Sequence, residues 1–217
     1  MSIKLYGYWR SSASYRVRIA LNLKQLDYEN IPVHLVQDGG EHHKTAYQAL
    51  NPAQLLPTLV DDDEDIILNQ SMAIIEYLDE RYPEHCSLMS KHIMDRARIR
   101  TLSQDIGCDM QPLANLRVLN YLSDNFSATP EDKTRWAQHW IEKGFKGIEK
   151  RIQNTAGEYC FGFDLSMADV CLVPQVYNAK RFGVDMQQFP VISRIAERCN
   201  KLDAFITALP ENQSDAG

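Results

Sequence analysis

Ser11, Ser12 and Ser14 crowd the point where the strand-like run Ile3-Lys4-Leu5-Tyr6 gives way to Tyr15-Arg16-Val17-Arg18-Ile19-Ala20-Leu21. The first turn of a helix leaves backbone N–H groups unpaired at the positive end of the macrodipole. Hydroxyls gathered there make a place for an anion, and a thiolate is one such anion. The same serines also suit ordinary N-capping, which is the commoner use of the residue type. A second start of this kind is Gln70-Ser71, ahead of Met72-Ala73-Ile74-Ile75-Glu76-Tyr77-Leu78. It offers N–H groups, an amide and a hydroxyl to an anion such as a carboxylate, with capping again the plainer use. Between the two lies Leu56-Pro57-Thr58, a proline at the first position of a strand, where its missing N–H is tolerated and a cis bond is available.

The elements that must position these residues alternate in type over roughly the first eighty positions. Strands are expected at Ile3–Tyr6, Thr58–Asp61 and Ile66–Asn69, with an extended stretch at Tyr28–His34. Helices are expected from Ser12 to Lys24, near Lys44–Leu50 and from Ser71 to Tyr82. Val17, Ile19 and Leu21 also alternate as a strand would, but Ala20, Lys24 and the serine cap favour a helix. The order predicts a small α/β domain at 1–83 with parallel and antiparallel pairings. The pattern breaks over a linker at 84–92, and an all-helical domain is expected at 93–217. Its helices are read as Ile93–Leu122, Pro130–Asn154, Ser166–Arg181 and Val191–Ile206, with disorder confined to the small polar residues 210–217. Pro130-Glu131-Asp132 puts proline and acids in a first turn, and Ser166-Met167-Ala168-Asp169 has the spacing of a capping box.

Composition narrows the partners. The 217 residues carry a formal net charge of -6, which argues against nucleic acid or an anionic membrane as the main partner. No apolar run approaches a membrane span and no cationic, apolar leader opens the sequence, so a cytoplasmic protein is expected. Five cysteines without a Cys-x-x-Cys pair suit neither a disulfide framework nor zinc. Adjacent His42 and His43 are expected to point apart, and no metal is predicted.

Two anion-accepting helix starts flanking Pro57 could hold a ligand with both a thiol and carboxylates, and glutathione has that chemistry. At these residues the sequence resembles the zeta class of glutathione transferases, which includes maleylacetoacetate isomerases, over nearly its whole length. The resemblance is carried by Arg10-Ser11-Ser12, Arg16-Val17-Arg18-Ile19-Ala20-Leu21, Asp38-Gly39-Gly40, Gln48-Ala49-Leu50-Asn51-Pro52 and Gln70-Ser71. It continues through Gln111-Pro112-Leu113 with Asn115-Leu116, Thr155-Ala156-Gly157 and Met167-Ala168-Asp169 to Pro174-Gln175-Val176. One departure stands out, because the class usually reads Ser-Ser-Cys where this chain has Ala13.

The resemblance implies a thioredoxin-like domain followed by an all-helical one, a homodimer, and glutathione as cofactor. It implies cis–trans isomerisation of maleylacetoacetate, a step of tyrosine and phenylalanine catabolism; α-halo acid dehalogenation and maleylpyruvate isomerisation are the alternatives. Ser11 is then the thiolate-activating hydroxyl, with Ser12 assisting and Ala13 and Arg16 beside it. Pro57 is a cis-proline whose neighbour Leu56 pairs with the cysteinyl backbone, Gln70 and Ser71 hold the γ-glutamyl carboxylate, and His42 stands where the class often has glutamine. Gln111 and Asn115, placed on the first helix of the helical domain and facing the cleft, are further glutathione-binding residues. Arg181, with Arg10 and Arg117, is the candidate for an acidic substrate. The rival from another class is a non-catalytic binding protein that keeps the fold.

Overall fold

The computed structural model describes residues 3–216. They pack as two units, one formed by the chain up to Ser87 together with the stretch from Lys201 onward, the other by Leu88–Asn200.

The first unit is built on a mixed sheet of order β2-β1-β3-β4. β1 (Ile3–Gly7) runs parallel to β2 (Tyr28–Pro32) and antiparallel to β3 (Thr58–Asp61), and β3 is antiparallel to β4 (Ile66–Asn69). A parallel pair needs a crossover, which α1 (Ser12–Leu23) supplies. α2 (Thr45–Leu50) leads into β3, and α3 (Ser71–Arg81) leaves β4. α1 packs against both α3 and α10 (Asp203–Ala208) and is buried from Ser14 through Leu21. A helix covered on all sides needs no polar stripe, which is why Val17, Ile19 and Leu21 could mimic a strand's alternation. At its end, Lys24 Nζ pairs with Asp79 of α3 at 2.7 Å and donates to the Tyr82 carbonyl at 3.1 Å, so a fully buried ammonium is neutralised and hydrogen-bonded.

Strand register decides where the loops gather. Tyr6 faces Thr58, Thr58 faces Asn69, and Gly7 faces Pro32. The end of β1, the start of β3, the end of β4 and the end of β2 therefore share one edge of the sheet. From that edge leave the segments carrying Ser11, Pro57, Gln70 and His42.

The second unit is helical: α4 (Ile93–Gln104), a π-helical segment Asp105–Met110, α5 (Gln111–Leu113), α6 (Leu116–Phe126), α7 (Pro130–Ile152), α8 (Met167–Arg181) and α9 (Pro190–Cys199). Its core includes Leu102, Ile141, Phe145, Val170, Leu172 and Ile192, all fully buried. Buried Glu149 of α7 accepts the N–H groups of Val191 and Ile192 at 2.9 Å each, capping α9 from a distance. The capping box at Ser166 and Asp169 is present, and a second one joins Thr129 to Asp132 at the start of α7.

Three expectations are corrected. The single helix expected over Ile93–Leu122 breaks at Ala114-Asn115, where the Asn115 side chain accepts the Arg117 N–H at 3.1 Å and starts α6 anew. The helix expected over Val191–Ile206 ends at Cys199, and α10 belongs to the first unit because Phe205 and Ala208 bury completely there, against α1. The helical unit thus ends before the expected 217. Of residues 210–217, expected to be disordered, Pro210–Asn212 form a 3-10 turn and Asp215 bonds to Trp9, while Gly217 lies outside the described residues.

Candidate functional site

Ser11 caps α1. Its Oγ accepts the Ser14 N–H at 3.2 Å, its carbonyl accepts the Tyr15 N–H at 2.8 Å, and its own N–H closes a turn on the Tyr8 carbonyl at 3.0 Å. The capping reading holds, and an accepting hydroxyl oxygen still has its proton to donate. Ser12 and Ala13 occupy the first turn, and among the described residues their N–H groups carry no hydrogen bond. Ser12 is buried and Ser11 half-buried. Gly7 lies just before this turn, and a Cβ there would sit 3.1 Å from Ser14 Oγ.

The Leu56–Pro57 peptide bond is cis. The approach to it is pinned by side chains: Tyr47 Oη donates to the Leu55 carbonyl at 2.7 Å and bonds Thr58 Oγ1 at 2.8 Å, and Asn51 Nδ2 donates to the Leu55 carbonyl at 2.7 Å. Among the described residues the Leu56 N–H and carbonyl have no hydrogen-bond partner, so an extended peptide could pair with both. Burial pushes the Tyr47 phenol above its ordinary range, which keeps it protonated as a donor.

Gln70 precedes α3 with φ 73°, and Ser71 is that helix's first residue. Gln70 is exposed, whereas Ser71 is only 5% exposed and accepts a hydrogen bond at 3.2 Å from Arg16 Nη1. Arg16 is 1% exposed and lies beneath that hydroxyl. Any part it takes in holding a ligand therefore runs through Ser71.

His42 and His43 do not point apart as expected. They share a 3-10 turn, Glu41–His43, and their rings lie 3.8 Å apart. His43 Nδ1 bonds Gln54 Oε1 at 2.5 Å, while His42 Nδ1 is buried with no partner. Burial, then repulsion from His43, holds the His42 imidazole below its usual pKa, so it is neutral at pH 7. Gly40 precedes this turn at φ 95°, and a Cβ there would strike the His42 ring at 2.5 Å.

Gln111, Asn115 and Arg117 group at the α5–α6 break of the second unit. Trp136 Nε1 of α7 donates to the Leu113 carbonyl at 2.8 Å and steadies that break. The Asn115 oxygen is spent on capping, and Arg117 is exposed. Arg181 ends α8, exposed, with its guanidinium 4.4 Å from the Phe182 ring centre and within 3.4 Å of Asn178 Oδ1. Arg10 is exposed, 5.1 Å from the Trp9 ring centre. Residue types alone missed Tyr47, Asn51 and Asp215, whose contacts hold the loops. Among the described residues no three His, Cys, Asp or Glu side chains group as a metal site.

A βαβ unit followed by a ββα unit, with serine, cis-proline and Gln-Ser at one sheet edge, defines a thioredoxin-like class built to receive a thiol. The N-terminal domain model of glutathione S-transferases matches residues 5–85. A probable maleylacetoacetate isomerase of Vibrio cholerae is 53% identical over 216 residues, covering 100% of this chain and 99% of that one. A maleylpyruvate isomerase solved in its holo form and described as a bacterial zeta-class glutathione S-transferase superposes with TM-score 0.93 at 42% identity, over 99% of this chain and 100% of that one. A maleylacetoacetate isomerase of Anaeromyxobacter dehalogenans, solved with dicarboxyethyl glutathione and citrate in its active site, gives TM-score 0.87 at 37% identity over 100% and 98%. The chain belongs to the glutathione S-transferase family, in its zeta class.

Proposed function

We propose that this protein is a glutathione-dependent cis–trans isomerase that converts maleylacetoacetate to fumarylacetoacetate. The observation that carries the reading is the capped, serine-lined start of α1, in a chain similar over its full length to maleylacetoacetate isomerases. The residues present suit glutathione: unpaired N–H groups at Ser12 and Ala13, an unpaired Leu56 backbone beside cis-Pro57, the orphaned His42 Nδ1, and the Ser71 hydroxyl. Bound glutathione supplies a thiolate that adds to one alkene carbon, frees the former double bond to rotate, and is expelled as the trans product forms.

The Ser11 hydroxyl donates its proton toward the sulfur while its oxygen stays on the Ser14 N–H. The Ser12 and Ala13 N–H groups and the α1 dipole favour the anion, and such a setting draws a thiol from about 8.5 toward neutrality. Gln70 and Ser71 hold the γ-glutamyl carboxylate at the start of α3, with Arg16 lending positive charge beneath. Leu56 pairs with the cysteinyl backbone, and neutral His42 offers its free ring nitrogen to the same ligand. For the acidic substrate the proposed cations are Arg181 and Arg117 of the second unit and Arg10 of the first, on an otherwise acidic protein, and Gln111 and Asn115 are proposed contacts of glutathione. Ala13 leaves no protein thiol in the motif, so the route depends on serine alone.

The protein is proposed to work in the cytoplasm as a homodimer. Among the described residues no helix is long and apolar enough to cross a membrane. Ile67 on edge strand β4 and Ile93 and Met94 at the start of α4 are exposed apolar residues that a second copy would cover. Maleylpyruvate isomerisation is the second reading, favoured by the similarity to a maleylpyruvate isomerase.

The test follows the cis-to-trans spectral change while free thiol is titrated, with glutathione substoichiometric to maleylacetoacetate or maleylpyruvate. Many turnovers at constant thiol are expected. Thiol loss matching product would instead mean conjugation, and glutathione binding with neither outcome would favour a non-catalytic binding protein.

A further inference from the structure

The end of the chain reaches the turn that carries Ser11. Asp215 Oδ2 accepts the Trp9 N–H at 2.9 Å across 206 positions of sequence. The Trp9 carbonyl is held at the same time by Arg18 Nη2 at 2.9 Å, and Arg18 Nε donates to the Ala208 carbonyl at 3.1 Å. Trp9 is thus gripped at both its N–H and its carbonyl, and one further residue, Arg10, separates it from Ser11. The turn closes through the Ser11 N–H on the Tyr8 carbonyl.

Both grips are charge-assisted, the stronger kind of hydrogen bond. Arg18 is 1% exposed, and burial draws its guanidinium down to about 10, with the Asp215 charge among the groups opposing that fall. Asp215 Oδ1 is itself buried without a partner. A carboxylate kept with one oxygen unsatisfied is costly, and such groups in folded proteins call for a reason beyond stability.

We propose that Asp215 is a positioning residue for the reaction, latching the tail onto Trp9 so that the β1–α1 turn presents the Ser11 hydroxyl at a fixed place. The inference rests on the reading of Ser11 as the thiolate-activating group. Small displacements matter there, because a shift of about 1 Å in a reacting group can cost about 100-fold in rate.

The test compares the full chain with Asp215→Ala and Asp215→Asn over glutathione concentrations from below KM to saturation, using maleylacetone, together with amide exchange over residues 8–14. Asp215→Ala is expected to lower kcat about tenfold or more, to change KM for glutathione less than about twofold, and to speed exchange at Trp9. Asp215→Asn keeps an accepting oxygen and is expected to hold kcat within about threefold of the parent. Faster exchange with unchanged kcat would reduce the latch to tail docking, and a loss of kcat with exchange at Trp9 unchanged would mean that Asp215 acts by a route other than the latch; either result overturns the proposal. A parent chain that fails to turn over overturns the functional reading, and the proposal with it, whereas a competent parent with an indifferent Asp215→Ala variant overturns only the proposal.

Discussion

A single serine both ends a turn and begins a helix, and this double duty sets the expected effect of removing it. Ser11→Ala should cut turnover about 100-fold or more, as losing one donor to a developing anion does elsewhere, while glutathione affinity, proposed to rest on Gln70, Ser71 and Leu56, should stay nearly level. The cap lost with the hydroxyl should also cost about 1 kcal/mol of stability, so a urea melt run beside the kinetics separates the two roles. If turnover survives, activation passes to Ser12 or to the free N–H groups, which Ser12→Ala would reveal. Arg181 makes the complementary case: Arg181→Ala should raise KM for the maleyl substrate and leave glutathione affinity unchanged, and equal loss on both sides would make it a structural cation. The cap at Ser11 was legible because capping depends on residue type and local spacing, whereas Arg181 was reached only through the resemblance. His42 was less legible, since whether adjacent histidines part or stack depends on a 3-10 turn that Gly40 permits at positive φ.

At the scale of elements, short range succeeded and long range did not. Caps, prolines and turn residues placed the ends of α1, α3 and β4 within a residue or so of where they lie. The break at Asn115 was missed because an asparagine inside an apolar run looks like a tolerated helix residue until its side chain is seen capping α6. The ion pair joining α1 to α3 was likewise invisible, since nothing local ties Lys24 to Asp79. Its removal should be severe: Asp79→Ala leaves a fully buried ammonium without its carboxylate, and loss of one partner of such a pair costs about 3–5 kcal/mol. Chemical denaturation should show the midpoint falling at constant m-value. A shift under about 1 kcal/mol would mean that Lys24 finds water or another partner. Because Arg16 of α1 also bears on Ser71 of α3, the same variant should weaken glutathione binding before it unfolds.

Across the whole molecule, an α/β part followed by a helical part was readable from the change of pattern along the chain, but the return of the chain was not. Lys201 onward has the composition of a helical continuation, and only packing shows that α10 covers α1. The consequence is that the first unit cannot complete its core until the last residues are present. Phe205 is fully buried, and the Ala204 and Ala208 carbonyls accept from Asn22 Nδ2 and Arg18 Nε. Phe205→Ala should therefore cost about 3–5 kcal/mol, as emptying an aromatic site in a close-packed core does. A chain ending at Asn200 should lose that burial and also leave the Arg18 guanidinium short of an acceptor, which together approach the whole stability of a typical domain. Such a chain is expected to be insoluble or to lose its cooperative melt, with the damage in the α/β part although the deletion lies at the opposite end of the sequence. Hydrogen exchange can locate it: protection should vanish from α1 and β1 while α7 and α8 keep theirs. A truncated chain with α1 still protected would show that α10 merely rests on a core that is complete without it.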